Sequence, residues 1–302
     1  MPELPDVTVY VERIAALFAG KRLEAVRVKS PFVVRTFEPP ITDLVGRTLE
    51  STFSVGKRIA LEFSPQLFAV VHLMVAGRFH LKPRSASLGK VGLLAFDFEG
   101  QTMQLTEASS KKRASVHVLA TREEVMALAR GGIEPLTASF KQFKQALALE
   151  NHTLKRTLTD PRLISGIGNA YSDEILFRAQ LSPMKRTRDI EDADARRLYD
   201  ATRSTLREWV ERLRREAGQG FPEKVTAFRP EMAVHGKYNQ PCPVCQTKVQ
   251  RIVYAENECN YCPTCQTGGK LLADRALSRL LKEDWPKTLE ELEERKSPRA
   301  ST

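Results

Sequence analysis

The chain has 302 residues, of which 42% are hydrophobic and 28% are charged. This is the composition of an ordinary soluble globular protein, and a chain of this length forms two domains more often than one. Lysine and arginine outnumber aspartate and glutamate by 47 to 37, giving a net charge of +10. The surplus favours a polyanionic partner, nucleic acid first, although solubility alone would also account for it. No apolar run could span a bilayer and no secretory signal is visible, so we expect a cytoplasmic, nucleoid-associated protein.

The first residues of the chain have two interpretations. Pro5 suits a first helical turn, and the carboxylates of Glu3 and Asp6 suit the positive end of a helix dipole. Alternatively, removal of Met1 exposes the secondary amine of Pro2 beside the carboxylate of Glu3. An α-amino group titrates near pH 8, roughly, and its neutral form can attack a carbonyl-like carbon and form a Schiff base. A neighbouring carboxylate can move the protons that such a step needs.

The N-terminal half alternates with the period of strands. Apolar positions predict a helix over residues 6–18, ended by Gly20. From residue 23 to about 119, short runs rich in β-branched residues are separated by turn residues, which predicts an antiparallel sandwich or barrel. The clearest runs cover residues 23–28, 48–55, 59–63, 68–73, 93–98 and 103–106.

The second half has the period of helices. Gly131, Gly132 and Pro135 mark a linker. Helices are expected from residue 139, over 153–158, after 169 to 177, and over about 193–216, with further helices at 271–282 and 288–296. The fold class is therefore α+β. We predict domains at 1–133, 134–236 and 237–266, followed by a charged helical tail at 267–302 whose residues 297–302 are disordered.

Four of the five cysteines form two C-x2-C pairs, Cys242 with Cys245 and Cys262 with Cys265, separated by 16 residues. Four thiolates at this spacing predict one closed tetrahedral zinc site, which is structural because no position is open to a substrate. Redox chemistry would need only one pair. Cys259 is expected to be a spectator, and the alternation over residues 248–254 predicts a hairpin between the pairs.

A glycine turn, Ile-Ser-Gly-Ile-Gly-Asn at residues 164–169, joins two predicted helices. Glycines allow close approach of a neighbour, and the N–H groups that open the next helix suit an anion such as a phosphodiester. Asn169 could add a donor and Lys155 a charge. A plain connection between helices is the alternative.

Together these features resemble the formamidopyrimidine-DNA glycosylase and endonuclease VIII family over residues 2–265. The opening Pro-Glu-Leu-Pro-Asp is similar to the family's first motif, and residues 154–174 are similar to its helix-two-turn-helix. The four cysteines match the spacing of its zinc finger.

This resemblance implies an N-terminal β-sandwich with an N-terminal helix, a helical DNA-binding domain with a zinc finger, and a cleft between them. It implies that Pro2 attacks C1′ of a damaged nucleotide flipped from duplex DNA, that Glu3 moves protons, and that β-elimination nicks the strand. Lys57, otherwise an ordinary hairpin lysine, falls on a family lysine. The resemblance therefore groups it with Pro2 and Glu3 as a catalytic residue that contacts a phosphate or the lesion. Lys155 and Asn169 carry over as phosphate contacts, and Glu174 as a structural residue near the active site. The protein is expected to be a monomer with zinc and no organic cofactor.

Several positions depart from the family pattern. Asp6 replaces a glutamate. In the turn that follows His72, either Met74 or Val75 would fill the gap left by the flipped base; the alternative is that these side chains only pack in the core. Lys112 and Arg113 retain the charge of a DNA-binding loop that has lost its aromatic wedge. Asn257 replaces an arginine of the zinc hairpin, which puts a δ-elimination step in doubt. The segment at 218–228 is short where 8-oxoguanine enzymes have a capping loop, and the tail after Cys265 has no counterpart in these motifs.

Two other functions are compatible with the sequence. The chain could bind damaged or branched DNA with little excision, as the altered loop and zinc hairpin suggest. It could also be an RNA-binding zinc-ribbon protein, although that function leaves Pro2 and Glu3 unused.

Overall fold

The computed structural model describes residues 1–223, 225–254, 257–273 and 285–296. The predicted disorder of 297–302 and most of the predicted helix at 271–282 lie outside these residues. The chain forms two compact units, one of Met1–Gly132 with Leu206–Ala227 and one of Ile133–Thr205 with Phe228–Thr302. No helix among the described residues is long and apolar enough to cross a membrane.

The first unit contains two antiparallel four-stranded sheets, as the alternating pattern predicted. Helix α1 spans Leu4–Phe18 and helix α2 spans Arg122–Ala127. The first sheet has the order β1-β6-β7-β5 and the second β2-β3-β4-β8. Their bounds are β1 Leu23–Val28, β2 Thr48–Val55, β3 Arg58–Ser64, β4 Leu67–His72, β5 Gly77–Pro83, β6 Gly92–Phe98, β7 Gln101–Glu107 and β8 Ser115–Leu119. Strands β5 and β8 lie in the predicted β region but were not among its clearest runs.

The core of this unit lies between the two sheets and under α1. The helix contributes residues at three- and four-residue spacing, among them Tyr10, Ile14 and Phe18, all fully buried. Phe18 packs against Phe98 with ring centroids 4.5 Å apart. Burying each such side chain contributes about 1.5–3 kcal/mol, so the amphipathic helix and the alternating strands stabilise one another.

The second unit is helical and ends in a small hairpin. Its elements are α3 Phe140–Ala148, α4 Leu154–Thr159, α5 Asn169–Arg178, the first part of α6 Asp192–Ala217, β9 Gln250–Tyr254, β10 Asn257–Tyr261, α7 Pro263–Thr267 and α8 Leu289–Lys296. Ser139 and Thr153 cap α3 and α4 by accepting backbone N–H groups. Gly166 has φ +77, a conformation that glycine adopts without strain. This glycine therefore allows the turn between α4 and α5.

Candidate functional site

The start of α1 fixes the first acidic residues of the chain. Glu3 and Asp6 are both buried, and the Asp6 carboxylate accepts the backbone N–H of Glu3 at 3.0 Å. Asp6 therefore satisfies a donor at the helix start, as the helix interpretation of this stretch predicts. The same hydrogen bond holds the backbone of Glu3 in place, so the helix start also orients the carboxylate that the Schiff-base interpretation needs.

The amino group in the structure belongs to Met1, and it stands in for the Pro2 amine that processing would expose one residue later. Burial lowers the pKa of this amine, the Glu3 carboxylate opposes the shift, and the cations of Arg78 and Lys57 add to it. A lower pKa leaves more of the amine neutral near pH 7, which is the nucleophilic form.

Lys57 lies at the same end of the second sheet as two other connecting segments. Arg58 of β3 pairs with His72 of β4, and His72 pairs with Ser115 of β8. The hairpin that carries Lys57 therefore lies at the same end of the sheet as the turn after His72 and the loop before Ser115. We refer to this end of the strands as the Lys57 end of the sheet.

His72 supports the turn that follows β4, a role that the sequence did not reveal. Its Nδ1 accepts the backbone N–H of Met74 at 2.9 Å, which requires that this ring nitrogen carry no proton. Burial lowers the pKa of His72 to about 4, and the nearby cations Arg58 and Lys57 act in the same direction. The imidazole is therefore neutral at physiological pH and acts as a hydrogen-bond acceptor.

The turn between β4 and β5 presents Val75 to solvent. Met74 has φ +53 and is partly buried, whereas Val75 is 58% exposed. Gly77 donates its N–H to the Leu73 carbonyl at 2.8 Å, and a Cβ on this glycine would lie 2.2 Å from the same oxygen. Met74 was predicted as a DNA contact, with Val75 as the alternative, and Val75 is the more accessible of the two.

Arg78 ties this turn to a distant segment of the first unit. Its guanidinium donates to the carbonyls of Gly77 and Val75 at 2.6 and 3.1 Å, and to that of Val225 at 2.6 Å. No motif predicted this side chain, because an arginine in an alternating strand is ordinary. The structure thus identifies a residue that links the turn, the segment near 225 and the environment of the amino group.

The basic loop before β8 is shaped by Glu107. The buried Glu107 carboxylate accepts the backbone N–H groups of Arg113 and Ala114 at 2.8 and 3.0 Å. Lys112 donates its ammonium to the Glu107 carbonyl. The residues Lys112 and Arg113 are both exposed, so the loop has a fixed backbone and an accessible positive surface.

Lys155 and Asn169, the predicted phosphate contacts, lie together in the second unit. The Lys155 ammonium donates to the Asn169 carbonyl at 2.7 Å and to the Asp173 carboxylate at 2.6 Å. The Asn169 side-chain amide donates to the carbonyl of Glu258 at 2.8 Å. The glycine turn is therefore bonded to the hairpin β9–β10, and the charge of Lys155 has a buried partner that the sequence analysis did not identify.

Two adjacent acids of α5 hold the chain that leads into the hairpin. Asp173 lies 2.8 Å from His235 Nδ1 and accepts the Asn260 N–H at 3.1 Å. Glu174 accepts three consecutive backbone N–H groups, those of residues 233–235. Burial raises the pKa of Glu174, and these donors oppose the shift. Within the second unit, Glu174 thus fixes the backbone of residues 233–235.

The four predicted metal ligands come together at the end of the second unit. The sulfur atoms of Cys242, Cys245, Cys262 and Cys265 all lie within 4.8 Å of one another, and none forms a disulfide. A tetrahedral ion with metal–sulfur bonds of ~2.3 Å needs sulfur separations of about 3.8 Å. Two of the pairs measure 3.9 and 3.4 Å, so the arrangement fits one structural zinc ion. Cys259 is buried in β10 outside this group.

Comparison with known proteins gives matches over both halves of the chain. Residues 1–116 match the model of the formamidopyrimidine-DNA glycosylase N-terminal domain, and residues 132–218 match that of the formamidopyrimidine-DNA glycosylase H2TH domain. A formamidopyrimidine-DNA glycosylase of Thermus thermophilus is 33% identical over 276 residues, which cover 89% of this chain and 100% of the relative. An uncharacterized formamidopyrimidine-DNA glycosylase-like protein of Mycobacterium tuberculosis is 42% identical over 151 residues, half of this chain and 94% of the relative.

Solved structures agree with this fold. The Lactococcus lactis Fpg in complex with DNA that contains an abasic site superposes with a TM-score of 0.78 at 23% identity, covering 88% of this chain and 99% of that chain. The wild-type L. lactis protein with DNA that contains an oxidized pyrimidine gives a TM-score of 0.77, also at 23% identity, covering 88% and 100% of the two chains. At this level of identity the similarity concerns the fold.

Proposed function

Because this chain belongs to the formamidopyrimidine-DNA glycosylase family, we propose that it is a base-excision repair enzyme, both DNA glycosylase and AP lyase. Its substrate is duplex DNA with an oxidised or ring-opened base or an abasic site, the class named by its relatives and by the DNA in the similar structures. The observation that carries the proposal is the buried Glu3 carboxylate beside an amino group whose pKa is lowered by burial.

The proposed chemistry uses the amine and the carboxylate in turn. The neutral Pro2 amine attacks C1′ of the flipped nucleotide, the bond from C1′ to the base breaks, and the base departs with the bonding electrons and takes up a proton. The nitrogen then loses its proton, and its lone pair forms the second bond to C1′ as the C1′–O4′ bond of the sugar ring breaks, which gives an iminium ion and leaves O4′ as a protonated hydroxyl. Removal of a proton from C2′ then breaks the bond between C3′ and its phosphate oxygen, and water releases the enzyme by hydrolysis of the iminium. Glu3 moves the protons at the sugar.

Lys57 is the third predicted catalytic residue, and the other predicted site residues outside the zinc site are assigned to DNA binding. Lys57 contacts a phosphate or the lesion, and the turn with Met74 and Val75 fills the gap left by the flipped base. Lys112 and Arg113 lie on an accessible basic loop at the Lys57 end of the sheet. When such cations neutralise phosphates, the DNA releases the counterions that it had bound. Binding should therefore weaken steeply as the salt concentration rises.

The remaining segments support this activity. We assign catalysis to residues 1–133, phosphate binding by Lys155 and Asn169 to residues 134–236, and a zinc-stabilised hairpin to residues 237–266. The zinc ion is structural, because four thiolates leave no position for a substrate. The protein acts as a monomer on DNA in the cytoplasm, at the nucleoid.

Borohydride trapping on abasic-site DNA tests the proposal. Processed wild-type protein should form a covalent adduct, and extending the N-terminus by two residues should abolish it while DNA binding persists. Glu3→Gln should reduce base release at least about tenfold, whereas Glu12→Gln, at a half-exposed position of α1 where the carboxylate pairs with Arg214, should not. Tight lesion binding without adduct or base release would refute the enzyme and favour a damage-binding protein of the same fold.

A further inference from the structure

Phe32 is an aromatic side chain that the fold leaves in solvent. It is 83% exposed, and among the described large hydrophobic residues only Phe37, at 90%, is more exposed. A phenylalanine ordinarily contributes ~150–250 Å² of buried surface to a core or an interface. Single exposed apolar residues are common on protein surfaces, so the position and the charged surroundings of this ring decide whether it is a candidate contact for a partner.

The backbone around Phe32 is held firmly. The next residue, Val33, is buried in the core of the first unit. Val34 forms a parallel bridge with Val116 of β8, and the Arg35 N–H donates to the Val116 carbonyl at 2.9 Å. The Phe32 ring is thus presented by a short segment docked on the edge of the second sheet, and its exposure does not arise from a frayed terminus.

The register of this segment places Phe32 near the Lys57 end of the sheet. Because the bridge is parallel, a residue that precedes Val34 lies toward the start of β8, where Ser115 pairs with His72. The segment, β8, β4 and β3 follow one another, so three strand spacings of ~4.8 Å put it about 14 Å from the β2–β3 hairpin of Lys57. Phe37 follows the bridge and lies toward the other end of β8.

The surroundings of Phe32 are positively charged. The basic loop of Lys111, Lys112 and Arg113 leads directly into β8 at this end and is exposed. Phe37, in contrast, is followed by the exposed carboxylate of Glu38. Cations beside an accessible ring are the combination that binds a nucleic acid strand, since the cations attract phosphates and the ring stacks on a base.

We propose that Phe32 and the loop Lys111–Arg113 form a stacking platform for a base of the bound DNA that is left unpaired opposite the lesion or unstacked beside it. This inference rests on the proposed function for the identity of the DNA. The ring supplies a flat apolar face that accepts any base, and the loop holds the adjoining phosphates. The three adjacent cations favour a polyanionic partner over a neutral protein surface.

Binding to a 30-base-pair duplex with a tetrahydrofuran abasic analogue tests the platform. Phe32→Ala should weaken binding roughly tenfold, as expected for the loss of one stacked base, while Phe32→Trp should bind like the wild type. Phe37→Ala is the matched control and should change affinity less than about twofold, because its ring lies away from the basic loop. Both rings are exposed, so equal melting temperatures should show that all variants fold.

A second measurement separates stacking from charge. With 2-aminopurine opposite the abasic analogue or beside it, the fluorescence change on binding should be lost in Phe32→Ala and kept in Phe37→Ala and Lys112→Gln. Lys112→Gln should instead reduce the salt dependence of binding. If Phe32→Ala binds and reports stacking like the wild type, the platform is refuted even when wild-type protein traps abasic DNA. If borohydride trapping fails while Phe32→Ala shows the expected losses of affinity and fluorescence change, the enzymatic proposal is refuted and the stacking platform is retained.

Discussion

The Lys155 ammonium lies 2.6 Å from the Asp173 carboxylate, and their side chains are only 12% and 0% exposed. The charge assigned to phosphate binding is therefore balanced inside the second unit before DNA arrives. Asp173 also contacts His235 and the backbone of Asn260. It consequently couples the glycine turn to the hairpin that precedes the last two cysteines.

Asp173→Asn should destabilise the second unit by about 3–5 kcal/mol, because it leaves a buried ammonium without a countercharge. The free energy of unfolding, measured with urea, checks this value. Asp192→Asn is the control: it removes the partner of Lys144 in a pair whose side chains are 78% and 49% exposed, and it should cost less than about 1 kcal/mol. Equal losses of unfolding free energy in the two variants would show that burial does not strengthen the Lys155–Asp173 pair.

Gly77→Ala should disrupt the turn after β4, because the new Cβ would lie 2.2 Å from a backbone oxygen that cannot move aside cheaply. We expect a loss of about 1–3 kcal/mol in stability, together with weaker lesion binding. Gly89→Ala provides the comparison, since a Cβ there meets no atom within 4 Å. The melting temperature of Gly77→Ala should be clearly lower than that of Gly89→Ala. A wild-type melting temperature for Gly77→Ala would mean that the turn can accommodate a Cβ at residue 77.

The neutral state of His72 should make stability depend on pH. Its pKa is lowered from 6.5 to about 4 in the fold, so the unfolded chain binds the proton more tightly. The contribution is complete above pH 6.5 and is lost as the pH falls toward 4; it amounts to ~3 kcal/mol at most. Unfolding curves at several pH values should show this decline, and His72→Gln should flatten it. An imidazole that titrates near pH 6.5 by NMR in the folded protein would contradict the prediction.

Arg78 should affect both the turn and the amino group. Arg78→Met removes a cation that lowers the pKa of the amine, so the pH profile of borohydride trapping should move to higher pH. Arg78→Lys keeps the charge but loses the planar fork that reaches several carbonyls. It should retain the profile while lowering kcat/KM several-fold. Identical profiles for both variants and the wild type would remove the electrostatic role.

Metal binding should distinguish Cys262 from Cys259. Cys262→Ser should lower the zinc content from one ion per chain and destabilise the hairpin, because a thiolate ligand is lost. Cys259→Ala should keep the full zinc content, since its sulfur lies outside the cluster. Metal analysis of purified protein and melting with and without a chelator provide the measurements. Loss of zinc in Cys259→Ala would require a different ligand set.

Local patterns accounted for much of this molecule. Strand alternation, the helical period and the Ser139 cap are set by neighbours a few residues apart, so the two sheets and most helices followed from the sequence. The four cysteines were equally predictable, because metal coordination demands a narrow spacing of one residue type. The sequence also singled out Pro2 and Glu3, although it left their helical and chemical interpretations open.

Tertiary structure decided what those residues face. Arg78 meets the Val225 carbonyl across 147 positions of sequence, and no periodicity encodes such a contact. The positive φ of Met74 and the greater exposure of Val75 follow from how the turn packs. Phe32 belongs to none of the sequence motifs, and its exposure beside the buried Val33 is visible only in the folded chain. Hydrophobicity and spacing fix which elements form, whereas the long-range packing of those elements determines which side chains are free to bind.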